Sequence, residues 1–460
     1  MPATDESRSP AKAGVQSQAV PRSRPWPPAS AGDQGWGHSG RVAALIGVLA
    51  QALFSYRLTI PHTVMFDEVH YVPAARKLLT LAAPANTEHP LVGKEIIAAG
   101  IALFGDNPFG WRAFSTVAGT ATVLGVFWIL WLMFGRTRTA ALGAAFALLN
   151  FTIFVEARIA MLDGFMAMFV VLATAMLLWS MRAHTAASAW PRWVAGSVLL
   201  GLAVGAKWTA VPFVAYAGAA FLTIRLSEAR RADRSVWWAL NAGGHLYWPG
   251  LAAIPALMTL GIVSVAIYFA TFTPAFYYHD MPLSLDRLLW FQGNMYAQQT
   301  QVLPSHPYQS QWWSWPLMIR PIWYLYEYVD GATRGVLMIG NPAVLWGGLV
   351  AVAACGYLGW RERSLRLLGA AALWAGAYLP WIIIPKSLGF FYYYYLPSVF
   401  LPIAIAAALQ RVCSGRFARW DESAVLVALG LFAFFYPILS AAPLAGPQSF
   451  HRWMWFPTWP

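Results

Sequence analysis

Apolar runs near the length of a bilayer crossing recur along this chain, and nearly every second connection between them is rich in arginine. That pattern restricts the fold more than any single motif. The runs lie at 42–60, 111–134, 139–154, 164–181, 193–205, 209–226, 248–271, 336–360, 365–384, 391–408 and 424–442, the third and fifth being short. A helix needs about 20 apolar residues to span the hydrocarbon core. The alternate loops hold Arg136 and Arg138, then Arg182 and Arg192, then Arg225, Arg230, Arg231 and Arg234, then Arg361, Arg363 and Arg366, and last Arg411, Arg416 and Arg419. Basic loops stay on the cytoplasmic side. The reading is an all-α integral protein of the cell (inner) membrane with about eleven transmembrane helices and a cytoplasmic N-terminus.

Composition excludes the main rivals. Charged residues make up 11% of the chain and apolar ones 58%, with mean hydropathy +0.51. Soluble domains carry about 25% charged residues. The net charge of +12 is spread between the apolar runs, which fits membrane orientation and not a nucleic-acid face. Residues 1–41, rich in Pro, Ser, Ala, Gly and Arg, read as a disordered cytoplasmic tail with no removable signal peptide. Residues 42–446 form the membrane domain, and 447–460 an outer-face tail. Cys355 and Cys413 lie far apart in unlike surroundings and suggest no disulfide or zinc site.

The outer face holds most of the chemically interesting side chains. Two long segments, 62–110 and 272–335, are expected there with amphipathic helices, one of them at 95–104. Short links add Arg158, Asp163, Lys207 and Lys386. Trp290, Trp312, Trp313, Trp315 and Trp323 crowd the second segment, either as an interfacial belt or as a platform for sugar or headgroup.

Within the first segment, Met65-Phe66-Asp67-Glu68-Val69-His70-Tyr71 sets two acids just past the first span. They form either a solvated helix cap or an enclosed site, where a poorly hydrated carboxylate acts as a general base toward a hydroxyl. Glu88-His89-Pro90-Leu91-Val92-Gly93-Lys94 adds an imidazole and a cation, or is a plain surface turn. Arg112 opens the second span. Charges cost roughly 2.5–3.5 kcal/mol at mid-bilayer, so Arg112, Arg158, Asp163 and Lys207 are expected at a polar cavity or the interface, with Arg158 paired to Asp163 or Glu156. The stretch from His306 through Tyr308, Ser310 and Trp313 to Leu317 is either surface packing or a lid over an acceptor. No metal-ligand spacing or phosphate-cradling glycine loop is apparent.

In this order the motifs resemble the protein O-mannosyltransferases: Phe66–Tyr71, Glu88–Lys94, Trp111-Arg112, Arg158–Asp163, Lys207-Trp208, His306–Leu317, Gly340-Asn341-Pro342 and Phe391–Pro397. The resemblance spans roughly 42–408. It implies a GT-C glycosyltransferase fold with eleven transmembrane helices, and inverting transfer of mannose from a polyprenyl-phosphate-mannose lipid to Ser or Thr of exported proteins at the extracytoplasmic (periplasmic) face. By that resemblance Asp67 is the base and Glu68 its acidic neighbour, placing acceptor or sugar. Arg112 and Lys207 match residues near the lipid phosphate. Lys386, His89, Lys94, Arg158 and Asp163 complete the expected donor site, and His306, Tyr308, Ser310 and Trp313 the acceptor loop. No cofactor is implied. His89-Pro90-Leu91 departs from the usual His-Pro-Pro, and 272–335 is too short for the β-trefoil domain that eukaryotic members insert, which makes this a bacterial-type pattern. The alternatives are a related transferase acting on a lipid or glycan, of the aminoarabinose kind, and a transporter or flippase.

Overall fold

A computed structural model describes residues 33–413 and 419–460. The expected tail at 1–41 lies mostly outside them, and its end is already helical in α1 (Asp33–Ser55). Among the described residues, eight helices are long and apolar enough to cross a membrane: Pro108–Phe134, Leu162–Met181, Trp208–Arg231, Ala253–Tyr277, Pro342–Arg361, Leu365–Ile382, Phe391–Val412 and Trp420–Leu439. Eight of the eleven expected runs are therefore of that kind. The other three are α1, the α5–α6 pair (Thr137–Leu148, Phe151–Glu156) and α8 (Ala186–Ala206).

Local chemistry explains why the third and fifth runs fall short. Asn150 accepts hydrogen bonds from the Thr152 amide (3.3 Å) and hydroxyl (3.0 Å), and donates to the Ser398 carbonyl (3.1 Å). It caps a new helix and so ends the previous one. Helix α8 carries Pro191 and Arg192 in its first half.

The first long outer segment holds α2 (Glu68–Leu79) and α3 (Val92–Phe104), the latter too short to span. Helix α4 (Pro108–Phe134) and α7 (Leu162–Met181) pack together, and α7 lies along α8. Four helices follow in sequence: α9 (Val211–Arg231), the short α10 (Val236–Leu240), α11 (Ala253–Ala270) and α12 (Leu288–Thr300). The last four are α13 (Pro342–Arg361), α14 (Leu365–Tyr378), α15 (Tyr395–Val412) and α16 (Trp420–Leu439). Helix α15 is buried continuously from Tyr395 to Ala408 and forms the centre of the C-terminal half. At the periphery, Leu45, Val48 and Leu49 of α1 and Ile254, Met258, Ile262 and Val265 of α11 are exposed. Apolar stripes of that extent are costly in water and solvated by lipid.

The all-α expectation needs one correction. The second outer segment ends in an antiparallel hairpin, β1 (Ile322–Val329) and β2 (Ala332–Met338). Asp330 (φ 51°) and Gly331 (φ 73°) form its two-residue turn, and positive φ at both positions suits the twist of paired strands. Density in aromatic residues hid the strand pattern. The apolar run starting at 336 accordingly begins in β2, with the helix starting only at Pro342 behind the Asn341 cap (Oδ1 accepting from Ala343 N, 3.1 Å). The C-terminal tail is fastened to this same segment. Arg320 donates to the Thr458 and Pro460 carbonyls (2.9 Å each), and buried Trp459 donates to Met318 O (2.7 Å).

Candidate active site

Helix α4 begins where Asn107 accepts hydrogen bonds from the amides of Phe109 (3.0 Å) and Gly110 (3.1 Å), with Pro108 in the first turn. Helix α3 passes so close that a Cβ on Gly100 would lie 2.3 Å from the Gly110 carbonyl. This junction sets Arg112 one turn into α4, fully buried. Its Nε donates to Glu68 Oε1 (2.8 Å) and its Nη2 to Glu68 Oε2 (2.7 Å). The remaining donors reach the carbonyls of Pro61 (2.7 Å), Thr63 (2.8 Å) and Leu58 (3.4 Å). Glu68 also accepts from the amides of Met65 (3.0 Å) and Ala160 (2.9 Å). As folded, Arg112 has no donor left for a lipid phosphate and Glu68 no open oxygen for an acceptor. This corrects the expectation that the two meet substrate directly.

What the pair does is hold the chain that bears Asp67. The preceding residue, Phe66, adopts a left-handed backbone (φ 49°), costly for a bulky side chain. It is held by stacking on Tyr324 (4.1 Å between centroids) and an edge contact with Tyr392 (5.4 Å). Asp67 occupies the cap position of α2, yet its carboxylate makes no capping hydrogen bond. The Tyr71 hydroxyl, one turn on, donates to it instead (3.3 Å). That rules out the plain helix-cap reading. Half-buried, Asp67 is pushed up to about 6 by its apolar surroundings, with Lys207 pulling the other way and Asp163 adding to the rise.

Lys207 lies at the end of α8, its Nζ donating to both oxygens of Asp163 in α7 (2.6 and 2.8 Å). Burial works against its charge, but Asp163 outweighs burial and holds Lys207 above the ordinary lysine range. The rings of Tyr392 and Tyr393 lie 5.5 and 5.6 Å from the ammonium, within cation–π range. Beside Asp163 a cleft opens between Met166, Pro380, Trp381, Ile384 and Leu396.

A second group of side chains closes the near side. Lys386 donates to Gln299 Oε1 (2.7 Å), and Gln299 Nε2 reaches the Glu88 carbonyl (2.5 Å) and His89 Nδ1 (2.9 Å). Burial, followed by the charges of Lys207, Lys94 and Lys386, keeps the His89 imidazole well below its usual range. Lys94 is buried and spends its ammonium on the carbonyls of Asn86 (2.7 Å), His89 (2.8 Å) and Ala85 (3.4 Å). It straps that turn in place.

Other expected residues lie apart. Arg158 pairs with neither Asp163 nor Glu156; it donates to the carbonyls of Phe54 (2.8 Å), Tyr56 (2.6 Å) and Arg57 (3.2 Å), closing the C-terminal end of α1. Glu156 instead accepts from Tyr324 of the hairpin (2.7 Å). His306 meets the edge of Phe390 (5.3 Å), which stacks on Tyr392, and its loop also bonds to the segment after Lys386, Ser310 N donating to Gly389 O (2.8 Å) and Gln309 Nε2 to Ser387 O (3.3 Å). Ser310 accepts from Trp315 Nε1 (3.0 Å), Tyr308 lies under Arg320, and Trp313 is exposed. Among the described residues no group of three or more His, Cys, Asp or Glu side chains gathers as a metal site.

Tyr71, Tyr324, Tyr392, Tyr393 and Gln299 are site residues that sequence reasoning missed. Tyr71, Tyr392 and Tyr393 fall within quoted motifs, and Tyr71 is also one helical turn from Asp67; Gln299 left no signal.

Comparison with known proteins finds related families along most of the chain. Residues 104–279 match the family described as dolichyl-phosphate-mannose-protein mannosyltransferase, and 284–459 match the C-terminal four-transmembrane region of protein-O-mannosyltransferase. Asp67 and Glu68 lie N-terminal to both ranges. The polyprenol-phosphate-mannose–protein mannosyltransferase of Mycobacterium tuberculosis is 28% identical, over 93% of this chain and 92% of its own length. That of Corynebacterium glutamicum is 25% identical, over 87% and 89%. In fold, the chain resembles the S. cerevisiae protein O-mannosyltransferase Pmt1-Pmt2 complex bound to the sugar donor, with TM-score 0.76, 13% identity, and 92% and 93% of the two chains covered. ArnT of Cupriavidus metallidurans also aligns, with TM-score 0.56, 17% identity, and 87% and 65% covered.

Proposed function

The chain belongs to the protein O-mannosyltransferase family, and on that premise we propose that Asp67 is the base of a single displacement carrying mannose from a polyprenyl phosphate to a protein hydroxyl. The enzyme is a multi-pass membrane protein mannosyltransferase using polyprenol-phosphate-mannose. The finer assignments are a Ser/Thr acceptor on exported proteins, inversion, eleven crossings, a cytoplasmic N-terminus and an extracytoplasmic site. Positive-inside alternation supports that orientation.

The observation that carries the reading is the environment of Asp67, a carboxylate free of capping duty, half-buried, and facing the Lys207–Asp163 pair. A hydroxyl is a weak nucleophile at neutral pH, so accepting its proton as it attacks lowers the barrier. Phosphate is a good leaving group and needs charge stabilisation more than an acid. Lys207 supplies it, with Lys386 and His89 alongside. Glu68 and Arg112 fix Asp67 without touching substrate. Arg158 and Lys94 fix the segments around it. The His306 loop lies one aromatic layer out, where an extended acceptor would enter.

The test is incubation of purified protein with polyprenyl-phosphate-mannose and a Ser/Thr-rich peptide, with lipid and glycan acceptors in parallel, read by mass spectrometry. Mannosylated peptide is expected; sugar on the lipid acceptor alone would favour the aminoarabinose-type alternative. The rate should fall about tenfold per pH unit below about 6, because protonated Asp67 cannot accept the hydroxyl proton. A profile flat from pH 7 to 5 would remove Asp67 from that role. Lys207→Met should lower transfer by about 10²–10³-fold, chiefly through weaker use of the donor. Lys207→Arg should recover part of the loss.

A further inference from the structure

Gln299 has three hydrogen bonds that leave no freedom in how its amide is oriented. Its oxygen must face Lys386, whose ammonium only donates, and its nitrogen must face the Glu88 carbonyl, which only accepts. The second amide hydrogen is then directed at His89 Nδ1, 2.9 Å away. A donor there requires Nδ1 to be the acceptor, so the imidazole carries its proton on Nε2. A protonated ring would set two N–H groups against each other.

We propose that Gln299 is a positioning residue that locks His89 as the neutral Nε2–H imidazole and so presents an uncharged hydrogen-bond donor to an oxygen of the polyprenyl phosphate beside Lys207 and Lys386. The inference rests on the donor site described above and extends it to a residue of α12. Every charged or titratable neighbour of His89 agrees with a neutral ring or leaves it unopposed. Lys94 from α3, Lys207 at the end of α8 and Lys386 ahead of Phe391 all repel an added proton. Tyr71 of α2 offers only its ring edge (6.0 Å), and the Glu88 side chain on the same turn is engaged by Asn86 (2.5 Å). The chemical gain is specific. Two lysines already supply charge, and a third cation would hold the departing phosphate too tightly, whereas a neutral donor orients it.

The experiment measures binding of polyprenyl-phosphate-mannose, a phosphodiester with no proton of its own to titrate between pH 5 and 8, to the purified full-length protein without acceptor. Wild type should show no step that His89→Gln removes. Gln299→Glu accepts from Nδ1–H and favours the charged ring, so it should introduce a step moved up by about one pH unit or more into this range. In a His89→Gln background, where no imidazole titrates, the same substitution should add no step. Gln299→Ala serves if the glutamate variant is unstable to heat, with binding about tenfold tighter at pH 6 than at pH 8 because the freed ring takes up a proton. The same added step in the His89→Gln background, or no added step in either Gln299 variant, would overturn the proposal. In an Asp67→Asn background, which eliminates transfer, the difference between the Gln299 variants and their His89→Gln controls should persist, which keeps failure here distinct from failure of the catalytic reading.

Discussion

Asp67→Asn is expected to abolish measurable mannose transfer, a loss of about 10²–10⁴-fold, while the protein still folds and binds donor. The substitution keeps the shape of the side chain and its contact with the Tyr71 hydroxyl, but the amide cannot take a proton from an attacking oxygen. Nothing structural depends on the charge: Asp67 makes no capping bond, and its carboxylate is raised to about 6 because its surroundings disfavour ionisation. Thermal unfolding of the purified variant should match wild type or rise slightly. Near-normal transfer by Asp67→Asn would defeat the assignment.

The neighbouring acid should behave in the opposite way. Glu68→Gln, and more severely Arg112→Ala, should destabilise the fold by about 3–5 kcal/mol, seen as lower thermal stability and less protein in membranes. Each leaves a fully buried charge without its counter-ion, in a position with no access to water. Arg112→Ala also orphans the carbonyls of Pro61 and Thr63. The double variant Glu68→Gln/Arg112→Met should lose less than the sum of its parts, because the surviving charge is removed with its partner. Wild-type stability of Arg112→Ala together with weaker donor binding would restore a direct role at the lipid phosphate.

The contrast between these adjacent acids shows where sequence stops being informative. Hydropathy and arginine spacing made eight of the crossing helices legible, because the bilayer acts on every residue of a span. The motifs located Asp67, Lys207 and His89 for a similar reason: charges are scarce in such a chain, and a scarce charge stands out. That Glu68 is tied to Arg112 while Asp67 is left without such a partner was not legible. That depends on a left-handed Phe66 and on Arg112 arriving from a helix 44 residues away. Arg158 looked like a site cation and instead closes the end of α1, since carbonyl partners leave no mark in sequence. The hairpin was masked by aromatic residues that suit a belt as well as a strand. Gln299 was invisible, being one of several polar residues near the end of α12, with partners remote in the chain.

The most direct measurement of the central claim is the anomeric configuration of mannose on the peptide product, compared by NMR with that of the donor lipid. A single displacement with Asp67 as base predicts the opposite configuration. Retained configuration would mean two displacements through a sugar–enzyme intermediate and would contradict the account.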